Sequence, residues 1–468
     1  MATTNKKLIM IGVGGVGLCV LEMLQKTKLG NELLECIEEF IFFDMVDKSN
    51  HELVKNIDKK KVFHTIEITP NNIDTLLSAI EKNCIVVDVS YNIYYKPILE
   101  RCANVGANYI NTSVERWPLE DEYNVKSNFI KRTLHEMHKE VVEVKGSLLS
   151  NSPTMIMVHG MNPGLISHFC FLGLERVAEK ILRNDDILYD KEGIKDSLEK
   201  KDWGKLAFLL KLRTVHCSEI DSQESERKCD EDEFVNTWGC YSFYSEGVDP
   251  VQIGFGTHEK IHEKVADMYI KSHHPDNQVY FPTRGIDLHS ISAIPDVKYN
   301  GMLISHSEND TLSQRLSYSP TSNEVYRPSV YYVYKPCRLA FESIEKVKKN
   351  GYCMLPKKYC LTGHDIVSGS DSVGALLIFE DGSTFWAGTI LSCENVRKMG
   401  ILYSNSTVVQ VGASLLSAMK MAMRKPNLGI LFPEDLDKDE ILNEAVPYLG
   451  TIFCDFLNIK LRPDLVYY

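Results

Sequence analysis

The first residues suited to chemistry are glycines. Gly12-x-Gly14-x-x-Gly17 follows the apolar run Leu8-Ile9-Met10-Ile11 and leads into Val16, Val20, Leu21 and Leu24 at helical spacing. A strand entering such a loop and a helix leaving it form a site for a dinucleotide's phosphates. Gly12 allows the tight turn, Gly14 lets the backbone approach a pyrophosphate, and Gly17 lets the helix pack closely on the strand; Gly15 is one glycine more than the pattern requires. A phosphate at the start of this helix, by Gly15 and Val16, would meet free N–H groups and the positive end of the helix dipole. A second apolar run, Phe40-Ile41-Phe42-Phe43, ends on Asp44. An acidic side chain there accepts hydrogen bonds from an adenosine ribose and repels a 2′-phosphate, which predicts NAD rather than NADP. The interval from Gly17 to Asp44 exceeds the ~20 residues usual for the pattern, so the first helix or its following loop must be extended. Lys6-Lys7 ahead of Leu8 to Leu21 also resembles a secretory leader, but four glycines make a poor apolar segment and no small-x-small cleavage site follows.

A second group lies some 200 positions on: Glu219, Trp238, Glu246 and His306. Carboxylates pair with ammonium groups and an indole face attracts a cation, so this set suits an amine substrate. Spacing alone equally allows Trp238 to be a core residue and the glutamates to be solvated. His306, at the end of Met302-Leu303-Ile304-Ser305, has the ionisation range of a proton shuttle, and also of a structural histidine. His258-Glu259-Lys260-Ile261-His262 matches the two-histidine zinc pattern, but Glu263, Lys264 and Asp267 make the segment charged on most sides, as in a solvated surface helix, so no metal is expected. No G-x-S-x-G occurs to support a serine hydrolase.

The elements that must position these groups follow from the rest of the chain. With 468 residues, 44% hydrophobic and 25% charged, it has the composition of a soluble globular protein of two or three domains. Lys plus Arg is 52 against 64 Asp plus Glu, a formal charge of −12, which gives no support to nucleic-acid or anionic-membrane binding. The 13 cysteines are odd in number, scattered and without a Cys-x-x-Cys pair, which predicts reduced thiols in a cytoplasmic protein. No apolar run reaches the ~18 residues of a membrane span.

After Asp44, helix-like and strand-like segments alternate: Asn71 to Glu81 a helix, Cys84 to Val89 a strand, Tyr95 to Gly106 a helix, Tyr109-Ile110 another strand. This order predicts a doubly wound parallel sheet of the Rossmann type, with ligands beyond the carboxyl ends of its strands, where Ser90, Tyr91, Asn92, Thr112 and Glu115 fall. Met155 to Gly164 reads as strand, turn and helix start. Strands over 211–220, 234–244, 251–255, 302–306, 330–335 and 375–379 predict an α+β second domain on a large, mixed, mostly antiparallel sheet. Asp221 to Glu233 reads as a solvated acidic loop. A final helix from near Asn405 to Met423, stopped by Pro426, predicts a segment returning to the first domain. The expected division is 1–152 for the dinucleotide domain, 153–394 for the substrate domain and 395–468 for the returning segment.

Read together, Met10-Ile11-Gly12-x-Gly14, Asn162-Pro163-Gly164, Val235-Asn236-Thr237-Trp238, Ser245-Glu246-Gly247, Tyr326-Arg327-Pro328, Tyr334-x-Pro336-Cys337 and Pro447-Tyr448-Leu449-Gly450 resemble the bacterial-type homospermidine synthases, relatives of saccharopine dehydrogenase, over nearly the whole chain. The resemblance implies a homodimer that keeps NAD as a recycled prosthetic group and joins two putrescines, or spermidine and putrescine, into homospermidine with release of ammonia. It implies that Trp238 guards the pocket entrance and that Glu219 and Glu246 hold amine ends. His306, Asn162, Glu115 and Asp371 would line the inner pocket beside the nicotinamide. Two positions depart from the family's pattern: Asn92 stands where an acid is usual, and Lys335 replaces the histidine of the Tyr-His-Pro-Cys stretch. Two rival readings are a saccharopine or carboxynorspermidine type dehydrogenase, for which Arg284, Arg327 and Lys335 could hold carboxylates, and an inactive NAD-binding scaffold, supported by Asn92 alone.

Overall fold

Both faces of the first strand are covered, which is why Leu8 to Ile11 needs no polar alternation. Leu8 and Met10 point into one apolar core and Ile9 and Ile11 into another. The computed structural model describes residues 6–118, 133–149, 151–184, 189–259, 270–271 and 278–465. Among the described residues the chain forms two large sheets. In the first, β1 (Lys6–Ile11), β2 (Ile37–Asp44), β3 (Lys60–Thr65), β4 (Ile85–Asp88), β5 (Asn108–Asn111) and β6 (Met155–Ile156) pair in the order β6-β5-β4-β1-β2-β3. Every pair is parallel. The chain winds outward from β1 to β3, then crosses to β4 on the other side of β1. The crevice beyond the carboxyl ends of β1 and β4 is therefore the switch point where such sheets bind ligands.

Between β1 and β2, α1 (Gly15–Lys26) is followed at once by a second helix, Lys28–Leu34, whose Thr27 cap accepts a hydrogen bond from Gly30 N. This extra helix accounts for the long interval from Gly17 to Asp44.

The second sheet has ten strands and is mixed. At its centre β7 (Leu212–Asp221) lies parallel to Ser329–Lys335 and antiparallel to Ser370–Phe379. Its register sets Tyr334 and Val373 beside Glu219, and Asp371 opposite Asp221. Side chains alternate across a strand, so Glu219, Asp221, Tyr332, Tyr334 and Asp371 share one face.

Three local expectations are corrected. The strand expected over 234–244 stops at Asn236, and Cys240–Val248 is a helix. The run from Asp221 to Glu233 is no solvated loop: Asp221, Gln223 and Glu233 are buried, Arg227 clamps Glu233 at 2.7 Å with two nitrogens, and Glu224–Ser225 pairs with Ile366–Ser368. His258 and Glu259 lie in a turn with buried side chains, not on a solvated helix; His262, Glu263, Lys264 and Asp267 fall outside the described residues.

The last helix, Ser406–Arg424, packs against α1, close enough that a Cβ on Gly412 would lie 2.6 Å from Met23 Sδ. Its approach is fixed by Glu22 of α1, whose carboxylate accepts the backbone N–H groups of Leu402, Tyr403 and Ser404 at 2.7–2.9 Å. Beyond it the chain serves both sheets, Ile430–Leu431 pairing with β6 and Thr451–Phe456 with Thr384–Ser392. No described helix is long and apolar enough to cross a membrane.

Candidate functional site

The glycine loop has the shape its sequence predicts. Gly12 has φ +88°, and a Cβ there would lie 2.8 Å from Val89 O; a Cβ on Gly17 would lie 2.4 Å from Gly12 O. Those two glycines close the loop on the sheet. Gly14 differs, since a Cβ there would meet nothing within 4 Å. Its outer face is open where α1 presents the free N–H groups of its first turn, Gly15 and Val16 included. Asp44, at the end of β2, bends over the same loop, Oδ2 accepting from Val13 N at 2.6 Å and Oδ1 from Val46 N at 2.8 Å. Ser90 Oγ donates to Asp88 at 2.6 Å, and Thr112, just past β5, lies beside Gly160. An open cradle ringed by N–H groups and closed by a carboxylate fits the pyrophosphate and ribose of a dinucleotide.

Across the crevice stand buried acids, Glu219, Asp221 and Asp371. Glu219 Oε2 accepts hydrogen bonds from Tyr332 Oη at 2.6 Å and Asn162 Nδ2 at 2.7 Å, while its backbone N–H donates to Tyr299 Oη at 2.8 Å. Asn162 is delivered by the turn after β6, where Gly160 N donates to Pro163 O. Burial pushes the Glu219 carboxyl up to about 7, against the two hydrogen bonds that favour its ionised form. Asp221 accepts from Thr237 Oγ1 and from Gln223, yet burial holds it above the usual range. Neither oxygen of Asp371 accepts a hydrogen bond, although the Thr407 hydroxyl lies near enough to favour its ionised form. Burial, with Glu219 and Asp221 adding like charge, holds Asp371 well above the carboxylate range. Among the described residues none of these three acids forms an ion pair with Lys or Arg.

His306 joins the cluster through its Tyr332 neighbour, ring centroids 4.8 Å apart. Its Nδ1 lies 3.0 Å from Glu308 and its Nε2 3.6 Å from Glu246. Burial alone would lower the imidazolium, but Glu308 and then Glu246 more than offset it and raise it to about 10. His306 is thus a cation held between two carboxylates at neutral pH. Burial raises Glu246, and raises Glu115 to about 8, with Glu246 adding repulsion across the crevice. Glu115 accepts from Ser113 Oγ at 2.9 Å and from Asn92 N at 3.4 Å, Asn92 being left-handed at φ 61°. Trp238 tilts against Phe243 (5.7 Å), which meets Tyr334 edge-on (5.5 Å), which stacks on Tyr332 (5.5 Å). This line of rings runs from the half-buried indole to the acids. Tyr91, just past β4, stacks on Tyr241 of the helix Cys240–Val248 at 5.7 Å, joining the two sides of the crevice.

Sequence reasoning did not single out Tyr332, Tyr334, Glu308 or Asp221. Asp221 and Glu308 each lie two residues from a residue it did single out, and strand alternation was the available signal for Asp221. Of the basic residues offered for a carboxylate substrate, the Arg284 guanidinium lies 3.9 Å from the centre of the Tyr352 ring, and Lys335 is exposed at the end of its strand. His258, Glu259 and Asp464 bring one ligand atom each within 4.8 Å of one another. Glu259 accepts from Ser329 Oγ and Leu465 N, and His258 Nε2 lies 3.1 Å from Pro463 O, while His258 Nδ1 is buried without a hydrogen-bond partner.

The doubly wound sheet with its glycine loop is joined through one crevice to the large mixed sheet. Residues 8–156 match the family described as saccharopine dehydrogenase NADP binding domain. The chain is 26% identical to the homospermidine synthase of Mesorhizobium japonicum over 98% of its own length and 92% of that protein's. It is 27% identical to that of Blastochloris viridis, over 81% and 77%. The structure of the homospermidine synthase of Legionella pneumophila in complex with NAD superposes with a TM-score of 0.81 at 27% identity, covering 97% of this chain and 92% of that one. Over most of its length the chain is therefore similar to homospermidine synthases in sequence and in fold.

Proposed function

We propose that this protein is a homospermidine synthase, joining two putrescines, or spermidine and putrescine, with release of ammonia. The observation that carries the reading is the group of buried acids, Glu219, Asp221 and Asp371, facing an aromatic wall with no lysine or arginine paired to them among the described residues. Carboxylates in that state lack a counter-ion, and a diammonium substrate supplies one.

The residues of the glycine loop, Gly12, Gly14, Gly15, Val16 and Gly17, would hold the pyrophosphate of NAD, with Ser90, Thr112 and Asn162 along the nicotinamide side. Asp44 would exchange its bonds to Val13 and Val46 for the ribose hydroxyls and repel a 2′-phosphate, which favours NAD although the matching family is named for NADP. Bound NAD would supply hydride acceptor and donor chemistry in turn, with no net redox change.

Glu219 is positioned by Tyr332 and Asn162 through one oxygen, leaving Oε1 for an incoming ammonium. With its carboxyl near neutrality it is able to take the proton that an ammonium must lose before its nitrogen becomes a nucleophile. Asp371, protonated more readily still, holds a second amine end by hydrogen bonds in either state. Glu246 and Glu115 form the other acidic wall, and Trp238 binds the passing cation by its face without fixing it. Asn92 lowers the negative charge beside Glu115, and so tunes which amine is preferred. The imidazolium of His306, 3.6 Å from Glu246, favours the ionised form of that carboxylate against its burial. Water must be kept from the imine carbon, and the stacked Tyr91 and Tyr241 close one side of the crevice to it. The homodimer and the cytoplasmic location belong to the same proposal, supported by the resemblance and by the absence of paired cysteines; sedimentation of the purified protein checks the first.

Purified protein given putrescine and substoichiometric NAD is expected to form homospermidine and ammonia in many turnovers without accumulating NADH. Stoichiometric NADH would mark a dehydrogenase, and bound NAD without product would mark a scaffold.

A further inference from the structure

Beneath Trp238 two thiols meet. Cys240, the first residue of the helix Cys240–Val248, has its Sγ 3.4 Å from Cys360 Sγ, although 120 residues separate them. Cys360 ends the strand Lys357–Cys360, which runs parallel to Glu233–Asn236. Its Sγ also donates at 3.0 Å to the carbonyl of Trp238. Cys240 is buried and Cys360 half-buried, so Cys360 is the nearer of the two to solvent. All 13 cysteines are free thiols, and nothing in the proposed reaction uses this pair.

We propose that Cys240 and Cys360 are a thiol-modification site at which a low-molecular-weight disulfide, oxidised glutathione, drives formation of an internal cross-link that fixes the Trp238 corner. The two thiols are not equivalent. Cys360 is held below the usual thiol range by the Cys240 thiol, with the Cys240 backbone N–H at the start of the helix and the Lys48 ammonium adding to the effect. Cys240 is pushed well above it. Cys360 is therefore the attacking group and Cys240 the resolving one. The Cys360 thiolate attacks one sulfur of oxidised glutathione, forming a protein–glutathione bond and releasing one glutathione thiolate, which takes up a proton. Cys240 then gives its proton to solvent and attacks Cys360 Sγ, expelling the second glutathione. Two protein thiols are oxidised and one glutathione disulfide is reduced. Closing the contact to a bond of ~2.05 Å moves the sulfurs by little over 1 Å, a shift that the first turn of a helix accommodates.

The helix that starts at Cys240 also carries Tyr241, Phe243 and Glu246, so the cross-link ties the entrance ring and one acidic wall to the strand Lys357–Cys360. Substrate entry past Trp238 would slow; this consequence rests on the proposed function, whereas the cross-link does not. Full-length protein holding NAD, incubated with oxidised glutathione, is expected to become lighter by two hydrogens and to yield a peptide linking Cys240 to Cys360. Putrescine turnover should fall about tenfold, as for a gated step, and recover with dithiothreitol. Cys240→Ser should stop as a glutathione adduct on Cys360, while Cys360→Ser should form neither adduct nor link and keep its turnover. Absence of the linked peptide, or the same loss of turnover in Cys360→Ser, would overturn the proposal. Should reduced protein fail to turn over putrescine at all, the linked peptide still decides the thiol chemistry by itself.

Discussion

Glu219 shows how one carboxylate is given two duties by its surroundings. Burial raises it to about 7, and Tyr332 and Asn162 keep it oriented while it changes charge. The rate constant kcat/KM for putrescine should therefore rise through pH 7 as Glu219 ionises. In Glu219→Gln that limb should vanish and kcat/KM should fall about a hundredfold, or ~2.7 kcal/mol of transition-state stabilisation. A limb unchanged in the variant would move the proton-accepting role elsewhere, Glu115 being the next group by its value of about 8. Trp238 and Glu246 test the other roles. Trp238→Phe keeps a ring face, of weaker attraction for a cation, and should retain about a tenth of the activity. Glu246→Gln removes the charge that faces both the amine and His306, and should lose about a hundredfold. If the indole proves the more sensitive of the two, the acidic wall is not where the amine rests.

At the scale of elements, the loop before α1 separates binding from folding. Gly14→Ala adds a methyl where nothing stands within 4 Å, so the protein should melt as before while its affinity for NAD falls more than about tenfold, because the methyl enters the pyrophosphate's space. Gly17→Ala drives a methyl to 2.4 Å from Gly12 O, so α1 must back away from β1 and stability should drop by about 1–3 kcal/mol. Calorimetry with and without NAD separates the two; equal melting losses would mean that the loop is rigid throughout. The helix Cys240–Val248 illustrates the limit of local pattern. Val235 to Tyr244 is rich in β-branched and aromatic residues, which suits a strand. Packing decides otherwise, since a helix there buries Phe243 and Tyr244, the former against Trp238 and Tyr334.

The whole molecule holds its crevice together by a C-terminal segment that adds a strand to each sheet, so the two walls share one fold. Concentrating raised carboxyls and a raised imidazolium in that crevice carries a penalty that pH exposes. Glu219, Glu115 and His306 have folded values of about 7, 8 and 10, each above its unfolded value of about 4.3 or 6.5. The native state therefore holds more protons than the unfolded chain between about pH 7 and 9, and stability falls as pH rises there. The melting temperature is expected to decline across that interval, and saturating putrescine, by pairing with the ionised acids, to reduce the decline. A melting temperature that climbs from pH 7 to 9 would show that the acids are ionised and paired in the native state. Below about pH 6.5 the buried neutral His159 and His216 act in the opposite sense, so the test belongs above it.

The sequence by itself determined the dinucleotide half. Glycine spacing, an uninterrupted apolar strand and an acid at the end of the next strand are local facts, and each is required by backbone geometry within a few residues. It also supplied Glu219, Trp238, Glu246, His306, Asn162 and Asp371 as candidates, the last two through resemblance alone. Only the tertiary structure decided that the acids share one face: β7 pairs with a strand that begins 149 residues after Asp221, and the register that puts Asp371 opposite Asp221 depends on side-chain packing across ten strands. The same holds for Tyr332 and Glu308, whose parts depend on who stands beside them. Chain-local patterns encode which element forms, whereas the charge of a buried group is set by neighbours that the chain brings back from far away.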